Sequence, residues 1–231
     1  MTSLYFLILG STLLLSLLAS WRVRSAYNRN AQVPASSGMS GAQVAQRILD
    51  LNGIHDVTVH PIHGHLTDHY DPSNKQLMLS EENYYGTSVA ALGIAAHEAG
   101  HAIQHKELYA PLQWRMAAVG ITNIASQAVF WIPMVGGFTG LIPFKLAITI
   151  MALAFGVLMI FQLITLPVEF DATARAKRIL DHTGAVAPGA EPRARSSVLD
   201  AAALTYVAAF ISALAWFLFY LLRMAGAQSD D

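Results

Sequence analysis

The sequence predicts a mainly α-helical integral membrane protein: about four transmembrane helices with a small α+β region held on the cytoplasmic side. Three observations predict it. The 231 residues are 54% hydrophobic and only 13% charged, with a mean hydropathy of +0.43, outside the range of ordinary soluble domains. Four apolar runs are each long enough to cross a hydrocarbon core of ~30 Å. Between the first and second runs lies a polar stretch that alternates helical and strand periodicity. The net charge of −1 offers no global field for nucleic acid. The absence of cysteine removes disulfides, thiolate ligands and cysteine catalysis together.

The first run, residues 2–20, is followed by Trp21-Arg22-Val23-Arg24. A cleaved signal peptide carries its positive charge before the apolar run and small residues after it. Here the order is reversed and an aromatic residue marks the interface, so residues 1–21 are expected to be a retained anchor. Residues 22–116 follow as a cytoplasmic region. Ser40 caps a short amphipathic helix over 42–52, ended by Gly53. Residues 57–60 and 75–79 alternate as strands, separated by the turn-rich stretch 66–74. His55, His60, His63, His65 and His69 fall here at irregular spacing, which fits a solvated loop better than a second metal site.

The second and third runs form a transmembrane hairpin over 117–166. Thr122, Asn123, Ser126 and Gln127 share one helical face, and this polar stripe is expected to face other helices because hydrocarbon offers it no partner. Residues 167–198 form a second cytoplasmic segment, with 182–197 as linker, and 199–222 the fourth span, with Trp216, Phe217, Phe219 and Tyr220 as an aromatic belt. Residues 223–231 are a tail. Basic residues concentrate in the two large loops: Arg22, Arg24, Arg29, Arg47, Lys75, Lys106 and Arg115 in one, Arg175, Lys177, Arg178, Arg193 and Arg195 in the other. The positive-inside rule places both loops in the cytoplasm, on one side, where they can share a site.

That site is organised around His97-Glu98-Ala99-Gly100-His101. Two histidines four apart on a helix share a face, about 6 Å apart along the axis. Both imidazoles can therefore reach one Zn²⁺, with Glu98 placed to take a proton from an activated water. Thr87 or Ser88 caps this helix, and its small residues let other backbone approach closely. His105 cannot complete the set, because it stands roughly 12 Å along the axis from His97; a helix-terminal cation or a supporting group is expected instead. Glu169 and Asp171 stand beside the third apolar run, where unpaired carboxylates are costly. A metal would compensate them, as would snorkelling to water; with two histidines on the same side, Glu169 is the preferred third ligand. Lys75, Gln76, Leu77, Met78 and Leu79 are placed either as an internal sheet strand or as an edge holding substrate by strand addition.

The segments 96–105, 66–72 (Leu-Thr-Asp-His-Tyr-Asp-Pro) and 166–172 (Leu-Pro-Val-Glu-Phe-Asp-Ala), with 201–209 in the last span, resemble the YugP-type neutral zinc metallopeptidases of bacterial membranes over nearly the full length. The resemblance implies a multi-pass protein of the bacterial inner membrane. It also implies one zinc per chain on His97, His101 and Glu169, Glu98 as general base, and a peptide or protein substrate. More distantly the layout is similar to HtpX-type and CAAX-prenyl-protein proteases, which makes the cytoplasmic region zincin-like. In those the third-ligand glutamate is followed four residues later by an aspartate. Here that position is Thr173, while Asp171 falls two residues on and is a candidate to orient a ligand histidine. His69, Arg175 and Tyr206 are the candidates for stabilising an oxyanion.

Two other classes are weighed. A non-catalytic zinc-binding membrane protein, with a structural or partner-binding role, predicts a degraded Glu98, and Glu98 is intact. A transporter or channel predicts ionisable residues in mid-membrane, and none of the four runs carries an Asp, Glu, Lys, Arg or His at its middle.

Overall fold

The computed structural model describes residues 2–185 and 190–228. It is mainly helical, with a small α+β region. Among the described residues, seven helices and three strands follow in the order α1 (Thr2–Asn30), α2 (Gly41–Leu51), β1 (Thr58–Ile62), β2 (His69–Asp71), β3 (Gln76–Ser80), α3 (Glu81–Tyr84), α4 (Val89–Lys106), α5 (Ala110–Thr139), α6 (Phe144–Thr183) and α7 (Ala190–Gln228). Helices α1, α5, α6 and α7 are long and apolar enough to cross a membrane. The long helices outrun the apolar segments predicted from hydropathy. Pro192, expected in a linker, lies in the first turn of α7, where its missing N–H costs no helical bond.

Contacts divide the chain into two units. One comprises residues 1–18, 114–166 and 205–231; the other comprises 19–113 and 167–204. In the first, the aromatic residues of α7 are turned largely inward. Trp216 stacks on Phe155 at 5.7 Å and meets Tyr5 edge-on at 5.2 Å, and Phe219 is buried. They act as packing between helices more than as an interfacial belt. Gly156 makes room for this: a Cβ there would lie 3.1 Å from the Phe217 ring.

The polar stripe of α5 departs from expectation. Thr122 is buried and bonds back to the Ala118 carbonyl at 2.8 Å. Asn123, Ser126 and Gln127 are exposed. Gln127 accepts from Trp131 Nε1 at 3.0 Å. Small Ala125 takes the inward position between them.

The second unit is built on a core in which α2, the sheet and α4 pool their apolar faces: Ile48, Leu49, Leu77, Leu79 and Leu92 are fully enclosed. Helix α2 opens with a capping box, Ser40 accepting from the Gln43 amide at 3.3 Å while Gln43 Oε1 accepts from the Ser40 amide at 2.9 Å. Gly53 follows it at φ +61°, the left-handed conformation glycine adopts without strain.

The sheet order is β1-β3-β2, with β1 parallel and β2 antiparallel to β3. Strand β2 lies inside the stretch read as turns. Pro61 sits on the edge strand β1, where a missing donor is tolerated. Asp68, just before β2, binds the Ser80 amide at 2.8 Å and the Asn83 side chain at 2.9 Å, tying the sheet to α3.

Candidate metal centre

Ser88, of the two candidate caps, starts α4: its hydroxyl accepts from the Ala91 amide at 3.2 Å. From there the 3.6-residue period brings His97 and His101 to one face. The facing segment is the part of α6 beyond Pro167, and the approach is close. A Cβ at Gly100 would lie 3.1 Å from the Ala172 carbonyl oxygen, and Ala99, Ala172 and Ala176 are fully buried. This run of small side chains brings Glu169 across to the histidines.

His97 Nε2 stands 3.2 Å from Glu169 Oε2, and His101 Nε2 stands 3.6 Å from the same oxygen. One donor atom from each of the three residues lies within 4.8 Å of the others. Donors held at ~2.0–2.1 Å around one tetrahedral zinc would be separated by roughly 3.3 Å, so the spacing suits a single ion. The Nδ1 atoms are engaged elsewhere. His97 Nδ1 meets Thr173 Oγ1 at 3.4 Å and His101 Nδ1 meets Gln104 Oε1 at 3.0 Å.

The tautomer of His101 follows from Gln104. Its Nε2 donates to the Val168 carbonyl and to Asp171 Oδ2, both at 2.8 Å, which leaves Oε1, an acceptor, facing the ring. His101 Nδ1 must therefore carry the proton, and its Nε2 keeps a lone pair for a metal.

Glu169 is 1% exposed, a burial that an ionised carboxylate tolerates only with compensating partners. Burial opposes a charge on His101, yet contact with Glu169 outweighs it and leaves the pKa of the ring raised. Glu98 is also buried, and no hydrogen bond or ion pair to its side chain occurs among the described residues. Burial pushes its carboxyl up, while His97 and His101 pull it back. Two nitrogens and one oxygen converging beside a buried carboxylate can hold a divalent metal and accept a proton from water next to it.

The other residues singled out in the sequence are placed as follows. Asp171 reaches His101 only through Gln104. Arg175 donates to Asp171 at 2.5 Å and to Glu107 at 2.6 Å, so its charge is committed away from the metal cluster. His69 opens β2, exposed, with Nδ1 2.8 Å from the Thr67 carbonyl. Tyr206 belongs to the unit that does not contain the cluster.

The strand-addition reading of Lys75 to Leu79 is corrected. Gln76–Ser80 is the middle strand, with neighbours on both edges, so it has no free edge for a substrate. His105 contacts the Tyr70 hydroxyl at 2.8 Å and stays outside the cluster. Burial pushes the Tyr70 pKa up to about 12, so that hydroxyl remains protonated. Among the described residues the loop histidines join no metal-binding group; His63 and His65 pair with Glu81 and Glu82. Gln104 escaped the sequence reading. Its position three residues after His101, on the same helical face, is the signal that marks it.

Among the described residues, four helices long and apolar enough to cross a membrane accompany a His–His–Glu cluster that could hold a metal. The chain belongs to the family described as "Putative neutral zinc metallopeptidase", whose model matches residues 5–225. It is 44% identical over 200 residues to the "Putative membrane protease YugP" of Bacillus subtilis (strain 168), a match covering 87% of each chain. No solved structure matches it.

Proposed function

We propose that this chain is a membrane-embedded zinc metalloendopeptidase that hydrolyses peptide bonds in protein substrates at the cytoplasmic face of the bacterial inner membrane. The observation that carries the reading is the convergence of His97 Nε2 and His101 Nε2 on one oxygen of Glu169, beside an unpaired, buried Glu98. One zinc held by these three residues supplies Lewis acidity toward water and the scissile carbonyl.

The protein's own groups do the rest. Glu98 takes a proton from the attacking water and delivers it to the departing amine nitrogen. Burial raises its affinity for that proton, which suits a group that must bind and release it within one cycle. Gln104 and Thr173 hold the two imidazoles by their Nδ1 sides and so present Nε2 to the metal. Asp171 and Arg175 act behind Gln104 rather than on substrate. The basic residues in both large loops support the cytoplasmic orientation.

The test is zinc content and casein cleavage of the purified full chain beside Glu98→Gln. The variant should retain about one zinc per chain and lose cleavage by on the order of 10²–10⁴-fold. Cleavage by Glu98→Gln equal to wild type would remove the enzymatic reading and favour a structural zinc.

A further inference from the structure

Away from the metal cluster, the end of α1 and the start of α7 enclose a groove of about 350 Å³. On α1 it is lined by Trp21, Arg22, Ser25 and Arg29, residues on one helical face. On α7 it is lined by Leu204, Asp200 and Ser197, over a floor of Ala26 and Ala201. All belong to the same unit.

Its chemistry is graded. Trp21, 67% exposed, closes the apolar run 2–20, and Leu204 is exposed at the inner end of the α7 wall. Further along α1 come two guanidinium groups and the Ser25 hydroxyl. Along α7, in the reverse chain direction, come Asp200 and Ser197. Arg22 makes no hydrogen bond or ion pair among the described residues. Arg29 has only Ser25, at 3.1 Å. The one acid present, Asp200, is already paired with Lys177 at 2.5 Å, so it does not neutralise the arginines.

We infer that this groove binds the phosphate headgroup of an anionic phospholipid, with Arg22 and Arg29 on the phosphate and Trp21 and Leu204 toward the acyl chains. Guanidinium presents paired donors that match phosphate oxygens. Basic pockets between membrane helices at the interfacial level are suited to anionic headgroups. A tryptophan at the end of an apolar run marks that level. Small Ala26 and Ala201 keep the floor open. The site is independent of the peptidase reading, since none of its residues touches the metal cluster.

The experiment is native mass spectrometry of the delipidated full chain in detergent, titrated separately with phosphatidylglycerol, phosphatidylcholine and inorganic phosphate. Arg22→Gln/Arg29→Gln is compared with wild type and with Arg24→Gln, a neighbouring exposed arginine outside the groove. One phosphatidylglycerol per chain is expected, held at least tenfold more tightly than phosphatidylcholine and not displaced by inorganic phosphate. The double variant should lose that preference, while Arg24→Gln keeps it and all three proteins unfold at the same temperature. Equal binding of the two lipids, an unaffected double variant, or an equal loss in Arg24→Gln would overturn the proposal. Displacement by inorganic phosphate would reassign the groove to a soluble anion. If the double variant unfolds early, Ala201→Trp, which fills the groove while keeping both arginines, must abolish the preference for the site to stand.

Discussion

Gln104 is the residue on which the setting of the His101 ring turns. It is fully buried and uses its oxygen on His101 and its nitrogen on Val168 and Asp171. It therefore fixes both the ring orientation and the tautomer. Gln104→Leu keeps the volume but removes the acceptor and leaves the Val168 carbonyl and Asp171 without their donor. Zinc affinity should fall by roughly 10–100-fold, measured by competition with a chromophoric chelator. Gln104→Glu can still accept from Nδ1 but puts a second carboxylate against Asp171, and should recover only part of the loss. Unchanged affinity in Gln104→Leu would mean that packing alone holds His101.

This residue also marks what a sequence can and cannot disclose. His97, Glu98 and His101 are legible because helical period alone brings them together. Glu169 is legible because a carboxylate beside an apolar run needs a partner. The spacing of Gln104 from His101 is local, but the groups that orient its amide stand more than sixty positions away, and no local pattern announces them. Thr173 stands in the sequence only as a departure from an expected aspartate; the structure sets its hydroxyl 3.4 Å from His97 Nδ1.

Among the elements, the pairing of α4 with the distal part of α6 builds the site, and it depends on the absence of side chains. Gly100→Ala would place a methyl 3.1 Å from the Ala172 carbonyl oxygen, a backbone atom that cannot rotate away. Overpacking of this kind costs about 1–3 kcal/mol and should also weaken zinc binding, because it parts Glu169 from the histidines. Gly93→Ala, whose methyl would meet the Arg195 side chain at 3.5 Å, an ordinary van der Waals contact, should be tolerated or slightly stabilising by helix propensity. Thermal unfolding of the two variants checks the contrast; equal melting temperatures would contradict it.

The same scale shows why the helices were easier to read than the sheet. Ser40, Gln43 and Gly53 bound α2 by local chemistry, and the observed limits lie within a residue of those predicted. Strand β2 has only three residues and runs straight into an Asx-type turn, where Asp71 accepts from the Ser73 amide and the Asn74 side chain. So short a strand carries no period of its own. The middle position of β3 is a property of non-local pairing, which leaves β1 and β2 as the edge strands.

For the molecule as a whole, the distribution of basic residues predicts a topology. The cysteine-free sequence allows a clean test with single cysteines at two exposed positions. Leu141→Cys, in the short α5–α6 connection, should react with a membrane-impermeant maleimide in intact cells. Arg193→Cys, at the start of α7, should react only after permeabilisation. The opposite labelling pattern would put the metal centre on the outer face. The exposed Asn123, Ser126 and Gln127 on α5 show where hydropathy misleads: it recognises a span but not which side of it is covered.

On the proposed function, α4 and α6 jointly hold one zinc ion through His97, His101 and Glu169. The most direct measurement is the zinc content of purified Glu169→Ala beside wild type, with helicity by circular dichroism as the folding control. About one zinc per chain in wild type, and loss of most of it in a folded variant, is the predicted result. A folded Glu169→Ala that keeps its full zinc would contradict the assignment of the third ligand and the site built on it.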